Sequence, residues 1–409
     1  MGKTEQHDIV IIGGGMAGLA TACALGQKGF PCLVLDHGTG EGDTIRTSTI
    51  NPASYSFLER LGVIKIMADL DHAITPVREI RVSDAQTRAR PGYAVSDTLL
   101  SWSENDNASA PLAYVMRNSH LREALFRMAD AHPLIRIRQG RANPPPKEDF
   151  MRDNTSFHHL NLDDGTGIIT PLIIAADGGS SPMRDAAAIR TIRRRPGQTA
   201  IVADIRSTRP HQHIAWQRFL DGGPVALMPL DDPHLSSLVW TLKDEDAAVM
   251  MKADPLMFGR MLTEEFGPAF GDLALASERH SWPMRLCHAI RPYGYRLALV
   301  GDAAHSIHPL AGQGYNLALG DAAAMADALE WGADHGADAG DMMILERYAR
   351  LRFAETAAMT LATDGLNRLF SFGPKGLRSA AGLAMAALDR SPLMSFAMKM
   401  ASGGLNRRG

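Results

Sequence analysis

The stretch "HDIVIIGGGMAGLATACALGQKGFPCLVLDHG", residues 7–38, is where the architecture first becomes readable. Ile9 to Ile12 is a short β-branched run, which predicts a buried strand. Gly13, Gly15 and Gly18 follow at G-x-G-x-x-G spacing. From Met16 to Lys28 the pattern is helical, and a second strand, Cys32 to Leu35, ends at Asp36. Each glycine has a mechanical reason. Gly13 allows the tight turn, Gly15 lets backbone approach a pyrophosphate, and Gly18, beside Ala17, lets the helix pack on the strand. The helix N-terminus favours phosphate charge. Asp36 lies where an acid accepts from a ribose 2′-OH and disfavours a 2′-phosphate, so the site prefers FAD or NAD to NADP.

The rest of the chain narrows the choice. It has 409 residues, 45% hydrophobic and 21% charged, with a net charge of -3. The length allows two or three domains. A near-neutral balance argues against nucleic acid as the main partner. Three cysteines (Cys23, Cys32 and Cys287) give no disulfide framework and point to a reducing cytoplasm. We find neither a secretory leader nor a membrane span.

A second turn motif, "YRLALVGDAAHSIHPLAGQGYNLALGD", covers residues 295–321. Leu297 to Val300 predicts a strand with Asp302 at its carboxyl end, where ligands gather in open α/β sheets. Gly312 and Gly314 lead into a helix from about Tyr315 to Trp331. His305 and His308, near Asp302, have a spacing open to a metal, but the glycine context favours local hydrogen bonding or a proton relay, so no metal is expected. A third segment, "PLIIAADGGSSPMRDAA", places Asp177 and Gly178 after a strand, with Ser181 and Arg184 following. Taken alone, it reads equally as a turn in which Asp caps a short helix.

With these motifs in view, the chain resembles the class A flavoprotein aromatic monooxygenases of the para-hydroxybenzoate hydroxylase type. Within them it is most similar to the ubiquinone-biosynthesis hydroxylases. That family carries G-D-A-A-H-x-x-H-P-x-A-G-Q-G-x-N-L-G-L-x-D, and the chain departs from it only at Ala318. The resemblance implies FAD as cofactor, with NAD(P)H and O2 as co-substrates. It implies that Asp302 binds the ribityl chain and that backbone from Gly312 through Gln313 and Gly314 to Asn316 faces the isoalloxazine ring. Pro309 would lie near the edge where oxygen reacts. Arg46 would meet the FAD phosphates, Arg117 would lie near the cofactor, and the Asp177–Arg184 segment would touch both FAD and the nicotinamide. Hydroxylation would run through a flavin C4a-hydroperoxide attacked by an electron-rich phenol, with no side-chain base assigned.

The expected fold is α/β: a Rossmann-like FAD-binding domain with an inserted antiparallel β-sheet substrate domain and a C-terminal helical tail. The FAD domain is expected at 1–75, 100–185 and 280–365, and the substrate domain at 76–99 and 186–279. There "TAIVADIRS", "HIAWQRFL", "GPVALMPL" and "SSLVWTL" alternate like paired strands. One G-x-G-x-x-G unit leaves no second dinucleotide domain. The tail, 366–409, holds seven basic residues and one acid among phenylalanines and methionines. That suits a peripheral membrane or biosynthetic-complex contact, a lipid-tailed substrate, or simply a helix closing the domain. The resemblance implies hydroxylation of a polyprenylated phenol in ubiquinone synthesis. Alternatives are another small aromatic or polyketide substrate, or a non-catalytic FAD-bound assembly partner.

Overall fold

The computed structural model describes residues 3–38, 45–85, 100–104, 110–150, 157–308 and 314–372. At its centre is a six-stranded sheet. Its order is Tyr293–Gly294, Leu297–Leu299, Leu172–Ala175, Ile9–Ile12, Cys32–Asp36, Ile135–Gln139, and only the Tyr293–Gly294 pairing is antiparallel. The strands are apolar on both faces because both faces are covered. Ile9, Ile11, Val34, Ile174 and Ala298 pack on helices Met16–Gln27, Asn118–Asp130 and Gly314–Asp334. Val10, Ile12, Leu33, Leu35 and Ile173 pack the other way, on a four-stranded sheet that includes Gly167–Thr170 and His158–Leu162. Each such buried side chain contributes about 1.5–3 kcal/mol.

The four alternating stretches form one sheet, as expected. Gln198–Ser207 pairs antiparallel with Leu235–Lys243, which pairs with Gly223–Pro229, which pairs with Ile214–Leu220. This eight-stranded sheet continues through Glu79–Asp84, parallel to Ile214–Leu220, to Leu100–Ser103. Helices Asp244–Lys252 and Pro255–Phe266 cover it through Met250, Phe258, Leu262 and Phe266.

Two segment ends differ from the sequence expectation. Leu100–Ser103 belongs to this sheet, because it pairs with Glu79–Val82 rather than with the parallel core. His280–Pro283 also stays in the sheet, on Gln198–Ser207. The chain leaves that sheet at Leu286–Ala289, which pairs with Thr191–Arg194 on one side and with His305–Ser306 on the other. In both cases strand pairing, a long-range event, overrides a boundary placed by composition. The expected C-terminal helical tail is described only as far as Phe372, the end of helix Met342–Phe372.

Candidate active site

Three loops meet at the carboxyl ends of three neighbouring parallel strands: Ile9–Ile12, Leu172–Ala175 and Leu297–Leu299. Their glycines are of two kinds. Gly13 has φ +115°, and a Cβ there would sit 2.4 Å from the Ala176 carbonyl oxygen. A Cβ on Gly18 would sit 1.9 Å from the Gly13 oxygen. These two hold elements in contact and admit no side chain. Gly15, Gly178 and Gly314 have no atom within 4 Å of where a Cβ would stand. They face open space, and Gly15 is also the N-cap of Met16–Gln27 with no side chain capping it. The first and second motifs touch directly: a Cβ on Gly301 would lie 2.9 Å from Ala17 Cβ.

Asp302 projects from the turn after Leu297–Leu299. It is accessible, yet the surrounding protein pushes its carboxyl above the ordinary value, opposed by the charges of His305 and Arg46. An accessible acid deep in the protein mass is what a recess for a polar ligand produces. Arg46 stands on the same side, its guanidinium 5.1 Å from the Trp282 ring. Asn316, at the start of Gly314–Asp334, is buried and occupied: Nδ2 donates to the Thr49 carbonyl at 2.8 Å, and Oδ1 accepts from Asn51 N–H at 3.0 Å. It fixes the turn after strand Thr47–Ile50. That strand touches the large sheet where Thr47 Oγ1 donates to Ser237 Oγ, and Thr49 Oγ1 rests 3.0 Å from Met228 Sδ. Pro309, Gly312 and Gln313 lie outside the described residues.

The other expected groups are largely engaged by protein. Asp36 accepts from Gly38 N–H and, at 2.7 Å, from Arg122, whose Nε also reaches the Gly14 carbonyl. Arg117 forms an ion pair with Asp204 of the large sheet at 2.7 Å. Asp177 Oδ2 accepts from Met183 N–H, while its Oδ1 is buried without a partner among the described residues. Burial raises the Asp177 carboxyl above its usual value. Ser181 caps the short helix Pro182–Ala186. The buried Arg184 donates to the carbonyls of Ala303 and Gly179, both at 3.0 Å. The third segment therefore clamps its own loop to the Asp302 turn.

Asp321 is the residue that sequence reasoning quoted but left without a role. Its buried carboxylate accepts from Gly301 N–H at 2.9 Å, His305 Nε2 at 2.6 Å and Arg352 Nε at 2.7 Å. Burial alone would raise its carboxyl; His305 and Arg352 outweigh that and lower it. His305 is pushed down by burial but held above its usual value by Asp321. Arg352 comes from helix Met342–Phe372 and carried no signal beyond being an arginine. His308 differs: it is buried, neither ring nitrogen has a hydrogen-bond partner among the described residues, and burial lowers it to about 4. No metal-ligating group of three His, Cys, Asp or Glu side chains exists among the described residues.

This architecture matches the FAD binding domain family over residues 6–361. The chain belongs to that family. It is 32% identical to the ubiquinone hydroxylase UbiL of Rhodospirillum rubrum, over 97% of this chain and 90% of that protein. It is 31% identical to the mitochondrial ubiquinone biosynthesis monooxygenase COQ6 of Mus musculus, over 89% and 84%. The 3-demethoxyubiquinol 3-hydroxylase of Escherichia coli is 29% identical over 98% and 99%. The fold is shared with p-nitrophenol 4-monooxygenase PnpA of Pseudomonas putida, with TM-score 0.73, 15% identity and coverage of 98% and 99%. The protein is therefore an FAD-dependent flavoprotein monooxygenase, using NAD(P)H and O2 as co-substrates. The open glycines, the orphaned Asp177 oxygen and accessible Asp302 fit that cofactor.

Proposed function

We propose that the protein hydroxylates the aromatic ring of a polyprenylated phenol in ubiquinone biosynthesis. The observation that carries this reading is the recess itself. Open Gly15, open Gly314 and Asp302 converge beside a sheet from a second domain, in a chain related over most of its length to three ubiquinone hydroxylases.

Bound FAD supplies the redox chemistry, taking electrons from NAD(P)H and letting one oxygen atom of O2 pass to an electron-rich ring. The chain's residues bind and position. The uncapped N-terminus at Gly15 receives the diphosphate, and Asp36, braced by Arg122, accepts from the adenosine ribose. Arg46 adds positive charge to the phosphate side, and Asp302 accepts from a hydroxyl of the ribityl chain. Gly314 brings a second helix N-terminus, favouring negative charge on the ring system. Arg184 and Asp321 hold the Asp302 turn rigid. The large sheet closes over the site and excludes water where Met228 and Ser237 meet Thr49 and Thr47.

Anaerobic reduction of the bound flavin by NADPH tests the substrate. A short-chain prenylphenol is expected to accelerate bleaching of the flavin colour, and a simple hydroxybenzoate is not. Equal rates with both compounds and with neither would remove the polyprenylphenol assignment.

A further inference from the structure

The corner built by strands Thr191–Arg194 and Leu286–Ala289 carries chemistry that hydroxylation does not use. Residues 190–195 hold four arginines and no acid. Arg193 is paired with Asp185, and Arg194 with Asp364 of helix Met342–Phe372. Ile192 lies opposite His288, and Ile290 is two residues further along the same strand direction, its N–H bound to the Arg190 carbonyl. Pairing puts Ile192 on the same face as His288, and Ile290 follows one residue past the end of that strand. They are 52% and 49% exposed. Helix Met342–Phe372, tied to this face through Asp364, turns Phe353 and Leu361 to solvent at 73% and 74% exposure. The two are eight residues apart, on one side of the helix.

Behind these side chains is a cavity of about 350 Å³. Its floor is the His305–Asp321–Arg352 cluster, and it reaches the surface at Ile290, Arg291, Arg350 and Phe353. Arg190, Arg291 and Arg350 are exposed and have no ion-pair partner among the described residues; Glu346 is the acid at the same rim. Single exposed apolar side chains are ordinary, but two on the strand pair and two on the adjoining helix, beside guanidinium groups with no ion-pair partner among the described residues and backed by a recess, form a surface suited to a partner. The chemistry of that partner follows from the charge. Apolar side chains enter a headgroup layer while arginines meet lipid phosphates.

We propose that this face docks on an anionic lipid surface. The inference deepens the polyprenylphenol reading and rests on it for its purpose: an enzyme whose substrate carries an isoprenoid tail meets that tail where lipid is. The docking surface itself lies on described strands and a helix, apart from segment 373–409.

The test is flotation of the full-length, FAD-loaded protein with phosphatidylcholine vesicles, with and without phosphatidylglycerol. Binding is expected only with phosphatidylglycerol and is expected to weaken at high salt. The triple variant Arg190→Glu, Arg291→Glu, Arg350→Glu should lose at least on the order of a hundredfold in partitioning, at about a tenfold factor per 1.4 kcal/mol. Phe353→Ser should lose roughly tenfold. Both variants should turn over a short-chain, water-soluble prenylphenol like the parent. Unchanged flotation of both variants, or loss of binding on deletion of 373–409 alone, overturns the proposal. So does a parent protein that ignores vesicles and runs as a stable dimer through this face. If flotation follows the face but no prenylphenol is hydroxylated, docking stands and the substrate reading falls.

Discussion

His305 and His308 are three residues apart and both buried, yet their electrostatics are opposite. His305 Nε2 donates to the Asp321 carboxylate across 2.6 Å, and this contact holds it above the usual histidine value despite burial. His308 has no hydrogen-bond partner among the described residues and falls to about 4, with Asp364 opposing. Burial pushes an imidazole towards neutrality; a buried carboxylate beside it reverses the sign. At the first histidine the Asp321 carboxylate favours the protonated form, within the cluster behind Asp302. The second is packed as though it were an apolar ring.

Removing the hub should have the largest effect. Asp321→Asn leaves the buried Arg352 guanidinium and the His305 ring without their shared carboxylate and loosens the Gly301 turn that carries Asp302. Breaking a buried pair in this way costs about 3–5 kcal/mol. A thermal melt read with the retained flavin absorbance should show both a large fall in Tm and loss of FAD. Full flavin retention at the parental Tm would mean the cluster is dispensable.

The pH response sharpens the contrast. His308 titrates near 6.5 when unfolded and near 4 when folded, so the unfolded chain binds more protons between those values. Stability from this site is present above about pH 6.5 and is lost on acidification, by about 3 kcal/mol on reaching its folded pKa. His305 has the opposite sign. Its folded pKa is raised, so its contribution is complete below the unfolded value and is lost as pH rises through the folded one. His308→Phe should therefore flatten the acid limb of a Tm-against-pH curve and leave the neutral Tm nearly unchanged, since no hydrogen bond is lost. His305→Gln should lower Tm at neutral pH and flatten the alkaline limb. Identical acid limbs in parent and His308→Phe would show that the ring is not held neutral.

The smallest effect belongs to a solvent-screened counterpart. Arg122 and Asp36 are paired at 2.7 Å but both are partly exposed. Arg122→Ala should cost no more than about 1 kcal/mol of stability and weaken FAD retention by less than tenfold. A loss as large as that of Asp321→Asn would place the pair among the structural clusters.

The groups in the site were unequally readable. Gly13 and Gly18 stood out because their constraint is steric and local: a Cβ would collide with backbone already close in the turn. The strands of the large sheet stood out because alternation is local too. Asp177, Ser181 and Arg184 were recognisable as a motif, but their side chains turn inward to cap a helix and clamp the Ala303 carbonyl. Arg117 was expected beside the cofactor and is committed to Asp204, 87 residues away. Arg122 and Arg352, which brace the two acids, carried no sequence pattern at all.

By itself the sequence determined the strand–turn–helix units, the glycines that permit them, the alternating sheet and the kind of cofactor such a turn accepts. These depend on sterics and periodicity over a few residues. Only the tertiary structure decided which polar groups face the recess and which are spent on one another, and which segment ends join which sheet. Those outcomes depend on partners such as Arg352 for Asp321, 31 residues on, and Asp204 for Arg117. A charge's partner is selected by packing, which no local pattern encodes.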